Sequence, residues 1–141
     1  MVVVVYLVIH VVINVDIFRK KATVSLPAIG AYRVFVTTLA VHFLTDILWG
    51  VFDANKWTIA LYADTVAYFI LMGSTILAWT RYIVKYLKEK SWIGKTILYV
   101  GNAFFLAEIV LLIVNIFVPI LFEVDMQTGA YQPYKARNIM L

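Results

Sequence analysis

Cysteine is absent from the 141 residues, which removes disulfide frameworks, thiolate metal sites and a cysteine nucleophile at once. Charge is nearly as scarce: 14% of the residues are charged against 64% hydrophobic, and the mean hydropathy is +0.92. A soluble domain is nearer half apolar and a quarter charged, and a chain of this length has no core large enough to absorb the excess. In water it would show that surface to solvent and aggregate. The same composition excludes disorder. Glycine-rich phosphate loops, a G-x-S-x-G turn and metal-ligand motifs are all missing, and no hydrophilic stretch is long enough to form a catalytic domain. The chain reads as an all-α integral membrane protein with no catalytic residues of its own.

What is present is a succession of long apolar runs. A membrane helix needs about 20 mostly apolar residues, and four segments approach that: Val2 to Phe18, Val34 to Phe52, Trp57 to Thr80 and Thr96 to Phe122. The first is rich in valine and lacks the small-residue cleavage site of a secretory signal, so it reads as an anchor. Pro119 is expected to kink the fourth helix or end it early, because it removes a backbone donor. Pro27 and Gly30 punctuate the loop after the first helix, and Thr128–Gly129 reads as a turn. Asn138 to Leu141 begin a new apolar run, so a fifth helix is expected to continue beyond residue 141 in a longer protein.

The net charge of +4 does not point to nucleic acid, because nine of the twelve basic residues fall in two short stretches between apolar runs. One holds Arg19, Lys20, Lys21 and Arg33; the other holds Arg81, Lys85, Lys88, Lys90 and Lys95. The positive-inside rule assigns both to the cytoplasm. Residues 53–56 and 123–137 then lie outside, as does the amino terminus. Trp49 and Trp57 at the outer boundary, with Trp79 and Trp92 at the inner one, fit interfacial aromatic belts. A single multi-pass membrane domain is the expectation.

Ionisable groups inside hydrocarbon are costly, so each is a functional hypothesis. Asp46 and Asp64 come out at similar depths, roughly 10 Å below the outer surface at 1.5 Å per residue, and Asn115 matches them. Together they are expected to form one outward-facing polar pocket. His42 stands one turn from Asp46 and is in reach of a hydrogen bond to it, Trp49 walls the pocket, and Glu108 lies deeper on the face of Asn115. The plain alternative is that these groups only fasten helices together. Asp16 is explained by a local ion pair with the Arg19–Lys21 cluster. His10 and His42, both near mid-helix, are the only pair that would ligate a haem, and no spacing motif supports that use.

The order of short motifs carries further information. The chain shows "YRVFV" from Tyr32, "TDILWGVFD" at Thr45–Asp53, "LYADTVAYFI" at Leu61–Ile70, "WTRYIVKYL" at Trp79–Leu87, "FFLAEIVLLIVNIFVPILF" at Phe104–Phe122 and "GAYQPYKARNIML" at Gly129–Leu141. This resembles the amino-terminal multi-pass membrane sensor region of signalling proteins from Gram-positive bacteria, over about 110 residues of the chain. The resemblance implies about seven helices followed by a cytoplasmic diguanylate cyclase, phosphodiesterase or histidine kinase domain, and homodimers by analogy with such proteins. The matched positions include Asp46, Trp49, Asp64, Glu108 and Asn115. The leading expectation is therefore a sensor module that relays a stimulus to an output domain outside this chain. The second is a small transporter, or part of one, with Asp46, Asp64 and Glu108 as a proton or cation relay.

Overall fold

Where a helix breaks, hydrocarbon supplies no water to satisfy the freed backbone groups, and the fold is organised around that constraint. The computed structural model describes residues 2–18, 26–87 and 92–135. Among them run four helices, α1 (Val2–Phe18), α2 (Leu26–Ala54), α3 (Thr58–Tyr86) and α4 (Trp92–Phe117), then a small hairpin of β1 (Phe122–Val124) and β2 (Tyr131–Pro133). The architecture is all-α apart from this hairpin. The chain segments at Arg19–Ser25, Lys88–Ser91 and beyond Lys135 lie outside the described residues, so the Arg19–Lys21 cluster, its pairing with Asp16 and the apolar run at Asn138 are not described.

Three helices are long and apolar enough to cross a membrane: Ile29–Ala54, Thr58–Tyr86 and Trp92–Phe117, with hydropathies of 1.7, 1.5 and 2.3. Helix α1, with 17 residues, is about 26 Å long at 1.5 Å per residue, against a hydrocarbon core of about 30 Å. The packing is inverted relative to a soluble bundle. On α4 the buried residues are Gly94, Glu108, Leu112 and Asn115, while Val100, Leu106, Ile116 and Phe117 are 63%, 64%, 63% and 80% exposed. Apolar outside and small or polar inside is the arrangement lipid favours.

The helix boundaries differ from the sequence expectation, and each difference has a cause. Helix α2 begins at Leu26 rather than Val34, because Pro27 sits in its first turn, where the missing N–H has no helical acceptor to lose. Pro27 and Gly30 therefore belong to the helix, not to a loop. Helices α3 and α4 extend past the apolar runs at their facing ends, taking in Arg81, Lys85 and Lys95. Arg33, also helical, donates from Nε to the Ile17 carbonyl at 2.9 Å, a cation on the last turn of α1 where unpaired carbonyls collect.

At its far end α4 stops at Phe117, five residues short of the expected Phe122. Pro119 cannot continue the ladder, and the amides that follow need a new acceptor. Asn115 provides it. Its Oδ1 accepts from the N–H groups of Ile120 (2.9 Å), Leu121 (2.7 Å) and Phe122 (3.3 Å), and its Nδ2 donates to the Phe122 carbonyl at 3.0 Å. One buried side chain thus turns the backbone out of α4 and into β1.

The segment expected as an exterior loop is the antiparallel hairpin, with Phe122 opposite Pro133 and Val124 opposite Tyr131. Its turn is closed by Asp125, whose carboxylate accepts from the Gln127 N–H at 2.8 Å and the Thr128 hydroxyl at 2.6 Å. Gly129 adopts φ of 67° and packs on Lys56, whose Cδ would lie 3.2 Å from an added Cβ. The hairpin thereby rests on the α2–α3 turn. Beneath it Leu61, Phe69, Leu112, Leu121, Phe122 and Val124 form the core, with Phe122 stacked between Phe69 (5.9 Å) and Tyr131 (6.0 Å).

Asn115→Ala is expected to leave three amides without their acceptor and to destabilise the α4 exit by about 1–3 kcal/mol, read as faster hydrogen exchange at residues 120–122 in lipid nanodiscs. Asn115→Asp, which retains an acceptor, should exchange more slowly than the alanine variant. The turn should also respond to acid. The hydrogen bonds from the Thr128 hydroxyl and the Gln127 and Thr128 amides hold the Asp125 carboxyl below its usual value. A depressed folded value means that this stabilisation is complete above the unfolded aspartate value of about 3.9 and disappears as pH falls through the folded one. Amide chemical shifts of Gln127 and Gly129 should follow that loss, and Asp125→Asn should abolish it.

Candidate functional site

The candidate residues fall into an outer group on α2 and α3 and a deeper one between α3 and α4. His42, Asp46 and Trp49 share one face of α2 at three- and four-residue spacing, so they stand above one another. Across from them α3 contributes Asp64 and Thr65, both buried. The indole Nε1 of Trp49 donates to the Thr65 hydroxyl at 3.2 Å, and that hydroxyl donates to the Leu61 carbonyl at 2.7 Å. The indole is thereby fixed as a wall, its ring edge-on to Tyr131 of the hairpin at 5.4 Å.

Asp46 lies within electrostatic reach of both His42 and Asp64. The His42 ring lies tilted against Tyr68, with ring centroids 4.6 Å apart. Two enclosed atoms here have no hydrogen-bond partner, His42 Nδ1 and Asp64 Oδ2. The hydrogen bond envisaged between His42 and Asp46 is not made through Nδ1. Asn115 faces the same end of the molecule, yet both its polar atoms are engaged by the backbone of residues 120–122. It supports the site from outside it.

Glu108 forms the deeper centre. It is 0% exposed, and neither carboxyl oxygen has a hydrogen-bond partner. Its carboxyl occupies the place that a side chain on Gly73 of α3 would fill; a Cβ there would collide with Oε2 and lie 2.8 Å from Cδ, with Phe105 Cδ2 at 2.9 Å. Gly73 is nine residues beyond Asp64, about 14 Å along the helix, so the two carboxyl levels are separate. The α4 seam follows a seven-residue rhythm, Gly94, Gly101, Glu108 and Asn115. Gly101 lets α4 approach Leu77 and Thr80, each 3.6 Å from an added Cβ.

His10 is drawn into a different network. Its Nε2 donates to the Val36 carbonyl at 3.0 Å, and its Nδ1 lies 3.4 Å from Asn14 Nδ2. Asn14, buried and not anticipated from the sequence, also accepts from the Tyr32 hydroxyl at 2.8 Å. Its position one helical turn after His10 was the available signal. Both His10 nitrogens are therefore engaged, and Phe43 lies against the His10 and His42 rings at 6.1 and 6.2 Å. Gly73 and Thr65 are likewise site residues that the sequence does not single out, since a small residue on an apolar helix does not show that a carboxyl fills the gap it leaves.

The chain matches no protein-family model, no curated protein and no solved structure. The chemistry of the site therefore rests on its geometry. An enclosed carboxyl without a donor loses several kcal/mol when charged unless a cation or donor reaches it, so any change in its state must act on the α3–α4 seam. Gly73→Ala is expected to force Glu108 aside and weaken that seam by about 1–3 kcal/mol. Glu108→Ala combined with Gly73→Ala should recover part of the loss, giving a coupling energy of about 0.5–3 kcal/mol in reversible unfolding from mixed micelles. Additive losses would separate the two residues.

Proposed function

We propose that this chain is a membrane-embedded input module of a signal-transduction protein. A stimulus acting at the outer polar group or at Glu108 biases the α3–α4 packing, and the inner helix ends relay the change to a cytoplasmic output domain. The observation that carries this reading is the seating of Glu108 on Gly73: a sealed, donorless carboxyl on a helix seam is an element whose packing changes when a proton, cation or donor arrives. Helix α3 supports the relay, since one unbroken element carries Asp64 and Thr65, then Gly73, then the basic end at Arg81 and Lys85. The proposed setting is a bacterial cytoplasmic membrane, with α1 as a fourth span, the amino terminus outside and the chain paired as a homodimer. The two basic stretches support this orientation.

A second reading is favoured by one feature, the carboxyls at two depths on α3 and α4. They would serve a proton- or cation-coupled transporter as successive stations. The two readings part in one pair of measurements. For the sensor, nitroxides at Tyr86 and Ile97 report two α3–α4 distances whose ratio shifts in Glu108→Gln, and proteoliposomes show no proton or sodium flux. Flux that Glu108→Gln abolishes, with unchanged distances, establishes the transporter instead.

The orientation has its own test. Single cysteines at Asn55→Cys and Gln127→Cys are expected to react with an impermeant thiol reagent in intact cells, and Lys21→Cys and Lys88→Cys only after permeabilisation. The opposite pattern inverts the chain.

A further inference from the structure

At the basic end of the bundle, α2, α3 and α4 line a groove of about 440 Å³, within the range of about 300–1,000 Å³ typical of small-molecule sites. None of the six candidate residues lines it. Its width comes from small side chains, Gly30 and Ala31 on α2 and Ser74 and Ala78 on α3, with Phe105 of α4 as its floor. Its one charged region is Arg81 and Lys85, four residues apart and so stacked on one face of α3.

Among the described residues neither cation has a carboxylate partner: the single ion pair there joins Lys56 and Asp53 at the other end of the molecule. Arg81 reaches only the Asn102 side-chain oxygen, at 3.4 Å. The Arg81 and Lys85 side chains are exposed, and among the described residues no carboxylate meets either of them. From Ser74 to Lys85 the groove follows eleven residues of α3, about 16 Å, which is close to half of the roughly 30 Å hydrocarbon core. An apolar trough about one leaflet deep that ends in two cations with no carboxylate partner among the described residues matches one class of molecule in both shape and charge.

We propose that this groove is a binding site for an anionic glycerophospholipid of the inner leaflet. One acyl chain lies over Phe105 between Gly30 and Ala78, and the phosphate is held by Arg81 and Lys85. Basic pockets between membrane helices on the cytoplasmic side recognise anionic headgroups in this way, and a guanidinium meets phosphate oxygens bidentately. The acyl end approaches Ser74, adjacent to the glycine on which Glu108 is seated, so an occupied groove also props the inner half of α2 against α3.

The test is native mass spectrometry of the full chain, released from mixed micelles holding equal amounts of phosphatidylglycerol and phosphatidylcholine. Wild type is expected to retain phosphatidylglycerol over phosphatidylcholine by roughly tenfold, and Arg81→Ala with Lys85→Ala to lose that preference. Gly30→Leu is the decisive control: nothing lies within 4 Å of a Cβ at Gly30, so the added side chain enters the groove without disturbing the fold or the charges. It should reduce bound lipid of both kinds. Unchanged lipid in Gly30→Leu, or displacement of the lipid by millimolar glycerol 3-phosphate, would show that the cations attract a headgroup without a groove-seated chain, and overturns the proposal. A dimer-to-monomer shift in Gly30→Leu without lipid loss overturns it too, in favour of a second copy of this chain as the occupant.

Discussion

The exchange of solvent governs this molecule. In hydrocarbon a freed amide or an isolated carboxyl has no water to fall back on, so each irregularity must bring its partner with it. Pro119 is the clearest case. It ends α4 early, and the three following amides converge on Asn115, one turn back on the same helix. That single side chain sets the direction of β1, the stacking of Phe122 on Phe69 and the docking of the turn on Lys56. At the last turn of α1, Arg33 plays a simpler form of the same role for the Ile17 carbonyl.

Glu108 departs from this rule, since its carboxyl is enclosed and lacks a donor. Space rather than hydrogen bonding accommodates it: Gly73 removes a side chain so that a carboxyl can take its place. A structural fastener would more economically be an amide paired across the seam, as Asn14 is paired with Tyr32. The contrast between those two buried polar groups is one of means: Asn14 is held by hydrogen bonds, Glu108 by the space that Gly73 leaves.

How far the sequence was legible depended on the range of the interaction. Hydropathy placed the long apolar helices, because length and composition are local properties. Their ends were misplaced where the decisive contact was not. Pro27 resembled a loop residue because its effect depends on whether it falls in a first turn or an interior. Pro119 was read correctly as a breaker, but nothing local showed that Asn115 would take up the amides it left. The carboxyls were found because charge inside an apolar run is conspicuous; Thr65, Tyr68 and Gly73 were not, since their part depends on what faces them. Asn14 lay in plain view at helical spacing from His10.

The hairpin has a consequence for biogenesis. Its strands are three residues each and too short to persist alone, since an isolated two-stranded ribbon is marginal in water. Its supports come from α2, α3 and α4 together: Lys56 under the turn, Phe69 under the stack, Asn115 at the root. None of these surfaces exists in final form until the helices have inserted and met. The finished hairpin therefore requires the assembled helices beneath it, and its integrity reflects theirs. A quality-control protease that samples the 125–130 turn would read helix packing without ever entering the bilayer.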